Sequence, residues 1–211
     1  MLWYQWRDDL PFVIIQIGRV CLSSYHPASL PDPLKTVSEG LKAGLASAYS
    51  NLGFVANAQA QHRAAVTYFS QSIGLWRELE SKTDLAWCLC QLGYSQVHVG
   101  DAAAARASLL QSLALCQELD DALNSLIALE GMALFEARYG QPDLAIQLYA
   151  ACDRHSSALG TQESPANPHG PQGKEGELVV LRNAMSAQAY AENWQRGKTM
   201  SLDEVVALAI G

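Results

Sequence analysis

The sequence predicts an all-α fold in which antiparallel helix pairs stack along one axis. The segment 92–119 recurs at 52–79 after a shift of forty residues, and part of its pattern recurs at 132–159. A fixed period of this length is typical of helical solenoids, in which each repeat is one helix–turn–helix unit. Hydrophobic residues make up 49% of the 211 residues, and the helix-favouring Ala, Leu, Gln and Glu are common.

The chain is predicted to begin inside a repeat. Residues 1–22 are interpreted as the end of one helix, a turn, and the second helix of an incomplete unit. Its apolar face at helical spacing would consist of Val13, Ile14, Ile17 and Cys21. Residues 23–37 contain three prolines and are predicted to form a loop, so 1–37 is a partial repeat and loop.

Three helix pairs are predicted in residues 38–160. Ser38 is a candidate N-cap for the first helix, Gly100 ends the third, and Asp101 caps the fourth. Gly140 and Gly160 are expected to end the fifth and sixth helices, and Pro142 suits a first helical turn. The predicted pairs are about 38–58 with 61–80, 84–99 with 102–119, and 121–139 with 142–159.

The C-terminal part does not follow the period. Residues 161–173 are rich in Pro and Gly and are predicted to form an exposed, flexible linker. Residues 174–211 are predicted to form a helical cap over the apolar end of the stack, which an open solenoid requires. Ser201 and Glu204 have the spacing of a capping box for its last helix. The expected helices lie near 174–186, 187–196 and 202–210.

The pattern inside each unit resembles the tetratricopeptide repeat. The matching residues are Leu52, Gly53, Ala65 and Phe69; Leu92, Gly93, Gly100, Asp101, Ala105 and Leu109; and Met132, Ala133, Gly140, Ala145 and Tyr149. The resemblance implies a right-handed superhelix whose concave groove is lined by the first helix of every pair. The period exceeds the usual one of about 34 residues, so we expect each helix to be longer by most of a turn.

The chain from about residue 118 onwards resembles the end of large ATP-dependent bacterial regulators of the LuxR and AfsR types. In that family a nucleotide-switch ATPase precedes a tetratricopeptide array that acts as a sensor in signal transduction and transcription regulation. The resemblance implies that this chain is the sensor region, detached from the ATPase and output domains. The matching residues are Glu130, Gly131, Gly140 to Asp143, Ala145, Leu148, Ala150 to Cys152, Leu181, Arg182, Ala189, Tyr190, Trp194 and 197–209.

Charge and targeting signals limit the partners. The formal net charge of -7 disfavours binding to phosphates, so no direct nucleic-acid binding is expected. The N-terminus carries Asp8, Asp9 and Pro11 ahead of its apolar run and lacks a basic region, which argues against a signal peptide. No stretch is long and apolar enough to span a bilayer. We therefore expect a cytoplasmic protein without membrane contact.

The sequence gives no support for catalysis. Gly197-Lys198-Thr199 suggests a phosphate loop, but Glu192 stands where that motif needs a glycine. The five cysteines lie in apolar helical stretches, which is typical of buried thiols. The five histidines are scattered over different elements, where surface or groove positions are expected. We therefore expect no enzyme, no cofactor and no metal, and a helical hydrolase or transferase is the least supported alternative.

The predicted binding surface is the concave groove. Aromatic side chains beside amides and a few charges suit a protein segment or a small effector. The alternative is that Phe54 and Trp87 only pack between helices. The residues predicted to face the groove are Ser50, Asn51, Phe54 and Asn57; Trp87, Gln91, Tyr94 and His98; and Glu130, Leu134 and Arg138.

The favoured hypothesis is therefore a non-catalytic scaffold that acts as the sensor module of a signal-transduction or transcription-regulator ATPase. A free-standing adaptor or oligomerisation module, unrelated to an ATPase, is the alternative.

Overall fold

The computed structural model describes residues 33–160 and 170–211. In these residues it contains nine α-helices and no β-strand, so the predicted all-α solenoid of antiparallel helix pairs is confirmed. The incomplete repeat predicted for residues 1–22, most of the following loop and residues 161–169 of the predicted linker lie outside the described residues. The helices are α1 Pro33–Ala58, α2 His62–Glu78, α3 Lys82–Val99, α4 Ala102–Glu118, α5 Ala122–Tyr139, α6 Pro142–Leu159, α7 Gly170–Ala184, α8 Ala187–Thr199 and α9 Leu202–Ile210.

The first six helices form three pairs, α1 with α2, α3 with α4, and α5 with α6. Each of these helices also contacts the next one along the chain, and α3 contacts α5. The first helices of the three pairs therefore lie side by side. The prediction that Ser38 caps α1 is wrong, because α1 begins at Pro33 and Ser38 lies inside it.

Close approach of the two helices explains the repeated Leu-Gly pair. A Cβ atom at Gly53 would lie 2.8 Å from Cζ of Phe69, and one at Gly93 would lie 2.6 Å from Cγ of Leu109. Phe69 and Leu109 are fully buried. The large residue of each second helix therefore fills the space that glycine leaves on the first helix, and a larger residue at either glycine would push the pair apart.

One hydrogen bond recurs in all three pairs. It joins a side chain of the second helix to a backbone carbonyl oxygen of the first helix, 26 residues earlier. The donors are the hydroxyls of Ser72 and Ser112 and the thiol of Cys152. The bonds run from Ser72 to Ala46 (2.9 Å), from Ser112 to Ala86 (2.7 Å) and from Cys152 to Leu126 (3.8 Å). Because a thiol is a weak donor, the third pair has the weakest of these bonds.

A residue in the left-handed region follows five of the first six helices, at intervals of twenty residues or a multiple of twenty. Two of the five are the predicted glycines, which adopt this conformation without a steric penalty. Asp101 then caps α4 as predicted, because its side chain accepts a hydrogen bond from the backbone N–H of Ala104 at 3.1 Å. The left-handed residues are Ala60 (φ 57°), Glu80 (φ 55°), Gly100 (φ 91°), Asp120 (φ 52°) and Gly160 (φ 68°).

The two ends of the stack differ in their apolar surface. At the C-terminal end α8 packs on α6, and α9 packs on both α5 and α6. At the other end, the outer face of α1 leaves Leu52 exposed, whereas its equivalents Leu92 and Met132 are buried. The exposed apolar residues of α1 are Val37, Leu41, Leu45, Leu52 and Val55.

Candidate functional site

The predicted groove residues lie along α1, α3 and α5 but differ in accessibility. Their positions on these helices follow the spacing of one helical face. Asn51 and Arg138 are exposed, Phe54, Trp87 and His98 are half-buried, and Ser50, Asn57, Gln91, Tyr94, Glu130 and Leu134 are buried.

Ser50 does not line the groove, which corrects that prediction. Its hydroxyl lies 2.7 Å from the hydroxyl of Ser72 and 3.2 Å from the thiol of Cys88. It also donates to the backbone oxygen of Ala46, at 3.1 Å. Ser50 therefore connects α1 with α2 and α3 in the interior of the stack.

Gln91 is fully buried on the same face of α3 as Trp87 and Tyr94. Neither the oxygen nor the nitrogen of its side-chain amide has a hydrogen-bond partner within the described ranges. A buried amide without a partner costs about 1–3 kcal/mol. The prediction that Gln91 is an accessible groove residue is therefore corrected: its amide lies beneath the surface and is unsatisfied.

Three ring side chains from two helices meet at the end of α3. The rings of His62 and His98 stack with their centroids 4.2 Å apart, and Tyr94 lies edge-on to His98 at 4.5 Å. These two histidines lie on different helices, as predicted, but the fold brings their rings together. His62 begins α2, so neither the forty-residue period nor a shared helical face connects it with His98.

Arg138 extends this cluster into the third helix pair. Its Nη1 lies 3.3 Å from Nδ1 of His98. Burial first, then the charges of Arg138 and His62, lower the pKa of His98 to about 4. His98 is therefore neutral at pH 7. Because a guanidinium only donates, Nδ1 of His98 accepts and its proton lies on Nε2, which has no partner among the residues described.

Asn57 connects the same cluster with α1. Its side-chain oxygen accepts a hydrogen bond from the hydroxyl of Ser95 at 3.0 Å and lies 3.2 Å from Nδ1 of His62. Its side-chain nitrogen is buried and has no partner in the described part of the chain. The cluster therefore contains unsatisfied donors on both α1 and α3.

Trp87 bridges the groove and the core. Its ring lies 6.4 Å from that of Phe54 and 6.0 Å, in a T-shaped arrangement, from that of Phe69. Phe69 is fully buried, while Phe54 and Trp87 are half-buried. Trp87 therefore packs between helices on one side and leaves part of its ring accessible on the other.

Helix α7 contacts the end of the groove that the third helix pair forms. The sequence did not predict this contact. Lys174 forms an ion pair with Glu130 at 3.4 Å, and Glu177 forms one with Arg138 at 2.6 Å. Glu130 and Arg138 are both predicted groove residues. The C-terminal segment thus contacts the proposed binding surface directly.

A further concavity lies among α2, α3 and α4. Its volume is about 320 Å³. Its polar edge includes a hydrogen bond from Arg77 to Gln111 of 3.1 Å. No sequence signal pointed to it. It is lined by Ser70, Ile73, Arg77, Leu89, Leu92, Ala107, Ser108 and Gln111.

Several other features bear on chemistry. The four cysteines within the described ranges are free and buried, and burial raises the pKa of each thiol, that of Cys116 to about 11. Over residues 33–160 and 170–211, no group of three or more His, Cys, Asp or Glu side chains is arranged to hold a metal ion. No helix in the same ranges is long and apolar enough to cross a membrane.

Residues 44–118 match the family model of the tetratricopeptide repeat. The match covers α2, α3 and α4 and most of α1, and it supports a tetratricopeptide repeat protein. Comparison with curated proteins and with solved structures gives no match. Repeats of this class bind proteins or peptides and are typically non-catalytic scaffolds. The fold and the match together therefore support a protein–protein interaction scaffold.

Proposed function

We propose that the concave groove of this chain binds a protein segment or a small effector in the cytoplasm and catalyses no reaction. The observation that carries the proposal is the row of accessible side chains on one face of α1, α3 and α5. Asn51 and Arg138 are exposed, and Phe54, Trp87 and His98 are half-buried. The net charge of -7 favours a partner other than nucleic acid.

The accessible polar side chains of Asn51 and Arg138 can form hydrogen bonds with a ligand. Each such bond contributes about 0.5–1.5 kcal/mol. The accessible parts of Phe54 and Trp87 provide apolar contact area beside them, and aromatic residues are enriched among those that dominate binding energy. The groove thus combines anchors with groups that orient a ligand.

We further propose that the chain is the sensor module of a signal-transduction or transcription-regulator ATPase. This proposal rests on the resemblance of residues 118–211 to the C-terminal region of such regulators. Binding in the groove would then bias the nucleotide switch. A free-standing adaptor or oligomerisation module is the second candidate, because tetratricopeptide arrays serve in both roles without an ATPase.

The groove is tested by capturing partners from the native cytoplasm on two variants with matched chemistry. Asn51→Arg with Phe54→Ala alters the concave face, whereas Gln71→Arg with Tyr68→Ala makes the same changes on α2. We expect the concave variant to capture at least about tenfold less of the specific partner than the wild type does. The α2 variant should capture as much as the wild type. Equal capture by both variants, with unchanged circular dichroism, would refute the proposal that partners bind in the groove.

The sensor role is tested on the ATPase whose reading frame lies nearest to that of this chain. We expect the two proteins to associate and the chain to change the ATP hydrolysis rate of its partner. The concave variant should lose the ligand-dependent part of that change. The absence of a neighbouring ATPase, or an unchanged rate in a stable complex, would favour the adaptor.

A further inference from the structure

We infer that α7 occupies the groove as an internal ligand, and that an external helix with a similar charge pattern displaces α7. This rests on the proposed groove function and assigns its partner class. The partner would be an amphipathic helix with a basic residue three positions before an acidic one, followed by an apolar residue. In α7 these positions are Lys174, Glu177 and Leu178.

The two ion pairs fix α7 on opposite charges of α5. Lys174 reaches Glu130, and Glu177 reaches Arg138. The side chains of Glu130 and Lys174 are only 9% and 19% exposed, so water screens their attraction less than in an open surface pair. Lys174 also lies 5.9 Å from the centre of the Tyr149 ring. The charges on α5 therefore select both the direction and the register of a bound helix.

Glu177 also connects α7 to the centre of the groove. Its partner Arg138 contacts His98, which stacks on His62. Burial raises the pKa of Tyr94, the charge of Arg138 lowers it, and the charge of Glu177 raises it. The carboxylate of α7 is thus close to the cluster that contains the unsatisfied groups of Asn57 and His98. A ligand in that cluster and α7 would interact with the same guanidinium.

Beyond the ion pairs, only part of α7 is anchored. Leu181 is buried in the core and Arg182 lies 4.9 Å from the centre of the Tyr190 ring, whereas Val179 and Val180 are 56% and 62% exposed. Gly176 lies inside the helix, and no heavy atom lies within 4 Å of the position that a Cβ atom would occupy there. An interior glycine lowers helix stability, and a helix of 15 residues is marginal on its own. The helix therefore depends on a few contacts with the rest of the chain, two of which are the ion pairs with α5, and this makes exchange with another helix feasible.

The test uses a fluorescent synthetic peptide of residues 170–186 and the full chain. In the chain, Lys174→Glu together with Glu177→Arg places like charges opposite each other at both pairs. We expect this variant to bind the wild-type peptide at least about tenfold more tightly than the wild-type chain does, because its own α7 no longer competes. Fluorescence anisotropy measures the affinity.

Three controls make the assay specific. A chain with Glu175→Arg, an exposed position on the same helix, should bind the peptide as weakly as the wild type. A peptide that carries both reversals should not bind the reversed chain. A peptide with Gly176→Ala should bind the reversed chain about threefold to fivefold more tightly, because its helix forms more readily.

Hydrogen exchange provides a second readout. Amides of α7 should exchange at least about tenfold faster in the reversed chain, while those of α3 and α5 keep their protection. Equal peptide binding by the wild-type and reversed chains, or unchanged protection of α7, would overturn the inference. This assay uses no external partner, so it can succeed when the cytoplasmic capture test fails. That outcome would refute the proposed binding of external partners and leave the inference about α7 standing.

Discussion

Gly197 of α8 lies directly against the backbone carbonyl of Gln147 on α6. A Cβ atom at Gly197 would collide with that oxygen and would lie 2.8 Å from Cβ of Ala150. The glycine that suggested a phosphate loop therefore has a packing role, because it allows α8 to cross α6 at close range. This contact joins the C-terminal helices to the last helix pair.

Replacing Gly197 with Ala should separate α8 from α6 and lower the free energy of unfolding by about 1–3 kcal/mol. Gly74→Ala is the matched control, because Gly74 lies in α2 where an added Cβ atom would meet no heavy atom within 4 Å. There the same change should raise the free energy of unfolding by about 0.5–1 kcal/mol. Urea denaturation measures both. A neutral Gly197→Ala variant would show that the helices are not in tight contact.

The forty-residue period and the local signals at helix ends made most of the fold predictable from the sequence. Gly100 and Asp101 form the expected helix boundary, and Ser201 and Glu204 form the expected capping box. These signals are local, since each depends on residues within one turn of a helix. Gly93 was predictable from the period instead, because its position relative to Leu109 recurs in the preceding pair as Gly53 and Phe69.

The candidate site was less predictable because its contacts do not follow the period. His62 and His98 stack across two kinds of helix, and Glu177 meets Arg138 from outside the repeats. Ser50 lies at the boundary between the groove face and the helix interface, so a small rotation of α1 decides its environment. Helical spacing assigns a face, but it does not give the rotation of one helix against its neighbours.

Stability should fall as the pH is lowered from 6.5 towards 4, because His98 is held neutral in the fold. Its pKa falls from 6.5 to about 4 on folding, so the unfolded chain binds more protons in this window. The loss should be on the order of 1–2 kcal/mol after allowance for partial exposure. Burial also lowers the pKa of His62, followed by the charge of Arg138, which acts in the same direction.

The measurement compares urea midpoints at pH 7 and pH 4.5. His98→Gln should remove most of the difference, while Tyr94→Phe should leave it in place, because that phenol does not ionise in this range. Glu177 is the acidic group that faces the cluster from α7. A full pH effect in His98→Gln would show that other groups cause it.

The recurring bond between the helices of each pair should contribute to stability. Ser112→Ala removes the bond to the Ala86 carbonyl from a fully buried site and should cost about 1 kcal/mol. Ser70→Ala is the control, since that exposed hydroxyl bonds only to a carbonyl of its own helix and its loss should cost less than about 0.5 kcal/mol. Equal effects in urea denaturation would contradict a specific role for the Ser112 bond.

The left-handed turns predict opposite effects for opposite substitutions. Gly100 has a φ of 91°, so Gly100→Ala should cost about 1 kcal/mol, because a Cβ atom is disfavoured there. Ala60 follows α1 with a φ of 57°, so Ala60→Gly should relieve strain and gain about 0.5 kcal/mol despite the greater flexibility of the unfolded chain. Thermal unfolding of both variants measures the effects. A loss of stability in Ala60→Gly would contradict this. It would mean that the greater entropy of the unfolded glycine variant outweighs any strain relieved in the turn.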